Sequence, residues 1–230
     1  MVKAILFDID NTLMDYMEMK YRCCVEAIDA MISAGLKINK KKALKSLYEL
    51  YDELGMDYGT IFQKLLLKEK GKVDYRILAH GVVTYRNFKE NYLVPYPNVT
   101  PTLLKLSKKY RLAIVSDAPI MQAWMRLVTM KLDDFFEVVI TKGDVKRQKN
   151  TATPFRVALR KLNLNPEDVV MVGDRIERDI KTPKKLKIKT IYARYGDTNP
   201  PEKGLSSADY EINDFNELPK ILEKIEKIIL

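Results

Sequence analysis

The sequence has very few of the residues that form disulfides and soft-metal sites. It contains two cysteines, the adjacent Cys23 and Cys24, and one histidine, His80. Neighbouring cysteines rarely form a structural disulfide, and zinc sites draw three or four ligands mostly from Cys and His. These counts exclude a disulfide framework, a zinc centre and a His-rich metal site. The cysteine pair is interpreted as two small apolar residues on one helix.

Long apolar runs are also missing. No stretch approaches the roughly 18 consecutive apolar residues of a membrane span. Only four apolar residues, Ala4–Phe7, separate Lys3 from Asp8, too few for a signal peptide. The 230 residues are 47% hydrophobic and 31% charged, which is typical of a globular protein with one large domain or two modest ones. We therefore expect a cytoplasmic protein that does not bind membranes.

The positive charge is not concentrated in any basic arm. The net charge is +9, but acidic residues are interspersed with lysine and arginine along the whole chain. The short basic clusters at 40–42 and 181–189 are interpreted as solvated faces. We expect no nucleic-acid partner. An anionic small substrate is an equally good reason for an excess of basic residues.

Five short apolar runs have the length of buried parallel strands, and most are rich in β-branched residues. They span residues 4–7, 112–116, 138–140, 169–173 and 188–193. Amphipathic segments flank the later runs. Strands that alternate with helices predict an α/β fold built on a doubly wound parallel sheet. In such sheets, ligands bind at the carboxyl ends of the strands.

Residues 16–91 differ from the rest because they contain no strand-like run. Their apolar residues recur at helical spacing, as at positions 17, 21, 24, 28 and 31. The sequence therefore predicts a helical cap domain, 16–91, inserted into an α/β catalytic core of residues 1–15 and 92–230. Hinges are expected near Asp15 and in the segment 94–98, which contains two prolines.

Carboxylates follow two of the predicted strands. Asp8 and Asp10 follow the first, and Asp174 follows the fourth. An ionised aspartate can attack phosphorus and form an aspartyl-phosphate. A divalent cation would offset the repulsion between carboxylate and phosphate, and the leaving oxygen would need a proton. Asp10 could supply that proton, with its carbonyl toward the metal, if the chain turns after Asp8, and Asn11 and Thr12 favour such a turn.

Other strand ends offer the remaining groups. Ser116 is a hydroxyl that precedes a predicted helix start, a suitable place for phosphate oxygens. Asp174 would be a second hard oxygen ligand for magnesium. A cation is then needed to neutralise the phosphoryl group. Three lysines that follow the third strand are candidates, namely Lys142, Lys146 and Lys149.

These motifs together resemble the haloacid dehalogenase superfamily. The resemblance rests on four segments in the family's order: DIDNT (8–12), VS (115–116), DVKRQKNTATPF (144–155) and GDRIERD (173–179). It implies that Asp8 is the nucleophile and Asp10 the general acid and base. It implies a magnesium ion at Asp8, Asp174 and the Asp10 carbonyl, supported by Asp179. The phosphoryl group would be bound by Thr12, Ser116 and Lys149.

The lysine segment departs from the family pattern. The family usually has a proline directly after the lysine and another two residues later, and neither is in place here. Lys149 aligns best with the family lysine, and Lys146 is the alternative.

At the position of Asp10, the sequence distinguishes two branches of the superfamily. Its true dehalogenases lack an acid at the position of Asp10, so this residue predicts phosphoryl chemistry.

The resemblance covers the whole chain and implies a subfamily I phosphatase with a helical cap. The chain is most similar to archaeal members that act on the triose phosphate glyceraldehyde 3-phosphate. We therefore predict magnesium-dependent hydrolysis of a small phosphorylated metabolite by a monomer or homodimer. Two alternatives are a phosphotransferase or phosphomutase of the same fold, and a non-catalytic binding module that retains the fold.

Overall fold

Two compact units form the protein in a computed structural model that describes residues 1–229 and the side chains of 1–227. Residues 1–15 together with the chain from Val94 onward form an α/β unit, called the core unit below. Tyr16–Leu93 forms a helical unit, called the cap unit. The cap unit extends two residues beyond the predicted 16–91 because its last helix continues to Tyr92.

The cap unit contains four helices within the described residues. They are α1 (Tyr16–Ser33), α2 (Lys40–Leu54), α3 (Ile61–Lys70) and α4 (Tyr75–Tyr92). Asn39 and Asp74 cap α2 and α4 by accepting backbone N–H bonds with their side chains. Both cysteines are buried, free thiols on α1, and burial raises the pKa of Cys23 to about 11. The thiols are therefore neutral packing groups.

The cap unit has its own apolar core, in which α1 and α4 approach closely. Buried residues of all four helices contribute to this core, among them Met31, Leu47, Leu65 and Ile77. A Cβ added to Gly81 of α4 would lie 2.7 Å from both Cγ and Sδ of Met31. The absence of a side chain at Gly81 thus allows the two helices to pack at this point.

The core unit contains one parallel sheet, with six strands in the described part of the chain. They are β1 (Ala4–Phe7), β2 (Arg111–Ser116), β3 (Val138–Thr141), β4 (Val169–Gly173), β5 (Lys189–Ala193) and β6 (Tyr210–Ile212). The strand order is β3-β2-β1-β4-β5-β6. The predicted doubly wound α/β fold is therefore confirmed. The sequence did not predict β6, since an edge strand of three residues is too short to show a pattern.

Helices of the core unit connect the strands. They are α5 (Val99–Leu106), α6 (Ile120–Thr129), α7 (Lys142–Val145), α8 (Thr153–Leu162), α9 (Thr182–Lys185) and α10 (Leu218–Ile229). A π-helical turn, Ile176–Lys181, directly precedes α9. Asp214 caps the short turn before α10, because its side chain accepts the N–H of Asn216. Within the described residues, no helix is both long and apolar enough to span a membrane.

Both faces of the sheet are covered, which explains why its strands are apolar throughout. Ala4 and Leu6 pack on one face with Phe155 of α8. Phe7 lies on the opposite face, where its ring centroid is 5.8 Å from that of Phe215. The register pairs Phe7 with Ile114 of β2 and with Val172 of β4. The carboxyl ends of β1, β2 and β4 therefore meet at one edge.

Candidate active site

The chain turns sharply after β1 and separates the two aspartates of the first motif. The N–H of Asp8 continues the sheet by donating to the carbonyl of Val172, at 3.0 Å. The carbonyl of Ile9 then accepts the N–H groups of Thr12 and Leu13. Asn11 has φ 57°, in the left-handed region that asparagine tolerates better than most residues. This turn gives Asp8 and Asp10 different surroundings.

Three buried carboxylates converge beyond the ends of β1 and β4. Asp8, Asp174 and Asp179 each offer an oxygen within 4.8 Å of the other two. Asp179 is held by the N–H of Arg175, which donates to its Oδ2 at 3.0 Å. A Cβ on Gly173 would lie 2.5 Å from the Cβ of Asp179, so only glycine fits at this end of β4. Sequence reasoning assigned Asp179 a supporting role beside the metal ligands, and in the structure its carboxylate lies within this cluster.

A buried lysine joins two of these carboxylates. The Nζ atom of Lys149 lies 2.7 Å from Oδ1 of Asp8 and 2.6 Å from Oδ1 of Asp179. Lys149 is only 2% exposed. Lys146, the alternative from the sequence, is exposed and ends α7 with φ 50°. The structure therefore brings Lys149, and not Lys146, to the carboxylates.

The cluster contains more negative than positive charge. Burial, and then the charges of Asp8 and Asp179, raise the pKa of Asp174 well above its usual value. Burial also raises the pKa of Asp179, to about 7, although Lys149 acts in the opposite direction. Burial would lower the pKa of Lys149, but the carboxylates of Asp179 and Asp8 outweigh it, so this pKa is raised. One ammonium group does not balance three carboxylates.

This donor set fits a divalent hard cation. Its potential ligands are carboxylate oxygens, which magnesium prefers, and the lysine leaves a net negative charge for the ion to neutralise. Burial, together with the neighbouring carboxylates, raises the pKa values of Asp174 and Asp179, and a bound cation would favour their ionised forms. The predicted magnesium site is therefore consistent with the residues that lie here.

Two predicted phosphate-binding hydroxyls lie at the same edge of the sheet. Thr12 donates its Oγ1 hydrogen to Oδ1 of Asp174, at 3.3 Å. Tyr195, a residue that sequence reasoning missed, donates to the carbonyl of Thr12 at 2.7 Å. Ser116 is buried, and its Oγ accepts the N–H of Ala118 at 3.2 Å. That bond leaves the hydroxyl hydrogen of Ser116 as a possible donor to a ligand.

Asp10 forms an ion pair that the sequence did not predict. Its Oδ2 lies 2.9 Å from Nη1 of Arg126, a fully buried residue of α6. The signal in the sequence was Arg126 itself, because it is the single charged residue of the amphipathic segment PIMQAWMRLVTM. A charge in such a segment needs a partner when it is buried, and an aspartate near a strand end is a natural one.

Asp117 is the other important residue that sequence reasoning missed. Its Oδ1 accepts the backbone N–H of Lys149 at 2.8 Å, and its Oδ2 accepts a hydrogen bond from Nη1 of Arg178 at 3.0 Å. Asp117 directly follows Ser116, so it is another carboxylate at a strand end. That position was the signal that could have identified it.

Comparisons with known proteins agree with the fold and the motifs. The family model described as haloacid dehalogenase-like hydrolase matches residues 5–193. A protein of Methanocaldococcus jannaschii named glyceraldehyde 3-phosphate phosphatase is 33% identical over 231 residues, covering 99% of this chain and 100% of the relative.

Solved structures give the same result for the fold. The HAD-hydrolase YfnB of Bacillus subtilis, bound to magnesium, superposes with a TM-score of 0.70 at 20% identity, covering 96% of this chain and 99% of the other. A Thermotoga maritima protein assigned as a β-phosphoglucomutase superposes with a TM-score of 0.74 at 19% identity. The superposition covers 97% of this chain and 99% of the other. The predicted superfamily is confirmed, and the chain belongs to the haloacid dehalogenase-like hydrolase family.

Proposed function

We propose that this enzyme hydrolyses a small phosphomonoester with the help of magnesium and through an aspartyl-phosphate on Asp8. The observation that carries the proposal is the contact between Lys149 and Asp8 inside the carboxylate cluster. A phosphoryl group that approaches Asp8 would meet an ammonium group beside the attacking oxygen. Few other chemistries need a carboxylate nucleophile, a buried lysine and additional hard oxygen ligands together.

In the first half-reaction, a carboxylate oxygen of Asp8 attacks phosphorus and the bond from phosphorus to the ester oxygen breaks. Asp10 gives its proton to the departing alkoxide. Lys149 and the hydroxyl of Ser116 bind oxygens of the transferred group and stabilise the charge that accumulates on them. Asp8 has two carboxylate oxygens, so the contact of Oδ1 with Lys149 leaves Oδ2 for the attack.

In the second half-reaction, water attacks the aspartyl-phosphate and Asp10 removes a proton from it. Inorganic phosphate then leaves, and Asp8 is again a carboxylate. The ion pair with Arg126 orients the carboxylate of Asp10, which is the group that would accept this proton.

Magnesium would be bound by Asp8, Asp174 and the Asp10 carbonyl, with Asp179 beside them. When bound, it would neutralise charge on the carboxylates and on the phosphoryl oxygens. The chain's own contribution is to keep the oxygens of the three carboxylates within 4.8 Å of one another in a buried site. The YfnB structure contains magnesium in the same fold, and this supports the choice of ion.

We propose glyceraldehyde 3-phosphate, or a related triose phosphate, as the substrate. The support is the name of the Methanocaldococcus jannaschii relative, which matches this chain over its full length. The net charge of +9 also favours a small anionic partner. A cytoplasmic location, and a monomer or homodimer without nucleic-acid or membrane partners, remain predictions from the sequence.

The experiment is phosphate release from a panel of small phosphoesters, with and without magnesium, by the wild type and two variants. We expect Asp8→Asn to lose at least about 1,000-fold in kcat, because it removes the nucleophile. Asp168→Asn is the matched control, since Asp168 precedes β4 at the opposite edge of the sheet and pairs with Lys3. It should stay within about twofold of wild type.

Three outcomes would contradict the proposal. Wild-type turnover by Asp8→Asn would exclude the aspartyl-phosphate. An isomerised ester in place of free phosphate would favour the phosphomutase alternative. No phosphate release from any ester, in a protein that still binds inorganic phosphate, would favour the non-catalytic module.

A further inference from the structure

Asp117 connects three segments that surround the candidate site. It follows Ser116 at the end of β2. One of its oxygens accepts the N–H of Lys149, and the other accepts a hydrogen bond from Nη1 of Arg178 on the π-helical turn. A single carboxylate thus joins the end of β2, the lysine segment and the turn that contains Asp179.

The middle of the lysine segment, residues 146–152, has little regular structure of its own. It lies between α7 and α8. A local turn closes part of it, in which the N–H and the hydroxyl of Thr151 both donate to the carbonyl of Gln148. That turn is internal to the segment and does not join it to the end of β2. The bond from the N–H of Lys149 to Asp117 supplies this connection.

The position of the Lys149 main chain matters because its side chain is long. A lysine has four rotatable bonds, and its ammonium group must lie within 2.7 Å of Asp8 and 2.6 Å of Asp179. When the backbone N–H of Lys149 is fixed, the side chain starts from a defined position. Less conformational entropy is then lost when the ammonium group is placed between the two carboxylates. A displacement of about 1 Å at a reacting group can reduce the rate by about 100-fold.

Arg178 has a separate task in this arrangement. If no cation paired with Asp117, its carboxylate would add negative charge to a site in which three carboxylates already face one ammonium group. It would then compete with Asp8 and Asp179 for the ammonium group of Lys149. The contact with Arg178, at 3.0 Å, compensates its charge. Asp117 then acts on Lys149 through the backbone and leaves the ammonium group to Asp8 and Asp179.

We infer that Asp117, neutralised by Arg178, is a positioning residue that sets Lys149 for the phosphoryl group. This inference rests on the proposed function. It assigns Asp117 no contact with substrate, so its effect on catalysis must pass through Lys149. It also explains how this chain holds the lysine although asparagine and threonine, rather than proline, follow Lys149.

The first test compares three single variants by kcat and KM. Asp117→Ala removes the acceptor, and kcat/KM should fall by about 100-fold. Asp117→Asn retains an oxygen that can accept the N–H of Lys149, so its kcat/KM should stay within about fivefold of wild type. Arg178→Gln should also cost less than Asp117→Ala. If Asp117→Asn were as damaged as Asp117→Ala, the acceptor would not be the important property and the inference would fail.

A double-mutant cycle tests whether Asp117 acts through Lys149. In a Lys149→Met background, Asp117→Ala should change kcat/KM by less than about threefold, because the positioned group is already gone. Full additivity of the two losses in kcat/KM would overturn the inference.

Glu137→Gln is the matched control for these variants, since Glu137 pairs with Arg111 at the opposite end of β2. It should leave kcat/KM unchanged, and thermal unfolding of every variant identifies loss of folding.

Calorimetric titration with inorganic phosphate gives a readout that does not need turnover. We expect Asp117→Ala to weaken phosphate binding about as much as Lys149→Met does, and Asp117→Asn to restore it. If the wild type binds phosphate in this pattern but releases none from any ester, the proposed function fails and the inference about Asp117 survives. Phosphate binding unaffected by Asp117→Ala would contradict the inference alone.

Discussion

Two aspartates that are separated by one residue in the sequence have different partners in the structure. Asp8 contacts the ammonium group of Lys149, whereas Asp10 contacts the guanidinium of Arg126. The turn at Ile9 and Asn11 produces this difference, because it directs the two side chains to different neighbours. The different surroundings of the two carboxylates therefore depend on two residues, Lys149 and Arg126, that lie more than a hundred positions away along the chain.

The contrast between Lys149 and Lys146 gives the first prediction. Lys149→Ala should lower kcat/KM by at least about 100-fold, because it removes the ammonium group from Asp8. It should also lower the thermal unfolding temperature, since Asp8 and Asp179 would lose their buried counter-charge. Lys146→Ala, which changes an exposed residue, should stay within about twofold of wild type in kcat/KM and leave the unfolding temperature nearly unchanged. Equal losses in the two variants would contradict the assignment.

The raised carboxyl pKa values predict how magnesium and pH act together on stability. The pKa of Asp179 is about 7 in the folded state, and that of Asp174 is also raised. The metal-free folded protein therefore binds more protons than the unfolded chain between about pH 4 and pH 7, so its stability falls as the pH rises through that window. Magnesium prefers the deprotonated carboxylates, and we expect it to raise the unfolding temperature more at about pH 8 than at about pH 5.

Thermal unfolding in chelator and in excess magnesium, at both pH values, measures this coupling. Asp174→Asn is the informative variant because it removes one of the crowded charges. It should be more stable than wild type at the higher pH in chelator, and it should respond less to magnesium. A magnesium effect that is the same at both pH values would show that these carboxylates are not the site.

At the scale of elements, the turn after β1 is held by other parts of the core unit. Tyr195 donates to the carbonyl of Thr12, and the N–H of Tyr96 donates to the carbonyl of Leu13 at 2.8 Å. The rings of Tyr96 and Tyr195 pack edge to face, with centroids 5.1 Å apart. Burial raises the pKa of Tyr195 well above its usual value, so its hydroxyl remains a donor.

Gly196 gives a prediction for this arrangement. A Cβ at this position would overlap the backbone carbonyl of Asn11, which cannot move without moving the turn that separates Asp8 from Asp10. We expect Gly196→Ala to destabilise the protein by about 1–3 kcal/mol. It should also lower kcat, because the turn positions the carboxylates of Asp8 and Asp10, to which we assign the chemistry.

The control for this prediction is Gly59→Ala. Gly59 has open space where a Cβ would lie and an ordinary φ, so its substitution should change the unfolding free energy by less than about 0.5 kcal/mol. Denaturant unfolding and phosphate release measure both effects. A Gly196→Ala variant with wild-type kcat would show that the turn tolerates displacement.

At the scale of the whole molecule, the excess of positive charge should act on substrate capture. A chain with net charge +9 attracts a phosphate ester over a distance comparable to the Debye length, about 10 Å at 0.1 M salt. Raising the salt concentration should therefore lower kcat/KM several-fold and change kcat much less. A neutral osmolyte at equal osmolality is the control. An unchanged kcat/KM would show that long-range charge plays no part in capture.

The two units also differ in how their stability arises. The cap unit has an apolar core contributed by its own four helices, and the sheet of the core unit is covered by helices of the core unit. Each unit therefore has the packed interior that independent folding requires. A helical segment of this size can be inserted after β1 because the sheet does not depend on it for strand pairing.

The sequence by itself determined the α/β class, five of the strands and the helical insertion. Hydrophobic periodicity specifies these features locally, since each strand or helix shows its buried face in its own residues. The sequence also identified the carboxylates of the cluster, because aspartate directly after an apolar run is conspicuous. Its prediction of the phosphate-binding lysine depended on the choice between Lys149 and Lys146.

Only the tertiary structure decided which charges meet. Local sequence gives no reason for either Lys149 or Lys146 to be buried, and the contacts of Lys149 with Asp8, Asp179 and Asp117 distinguish the two. The partners of Asp10 and Asp117 were likewise beyond the sequence, because Arg126 and Arg178 reach them from elements that are distant along the chain. Electrostatic contacts depend on distance in space, whereas the patterns of a sequence record only distance along the chain.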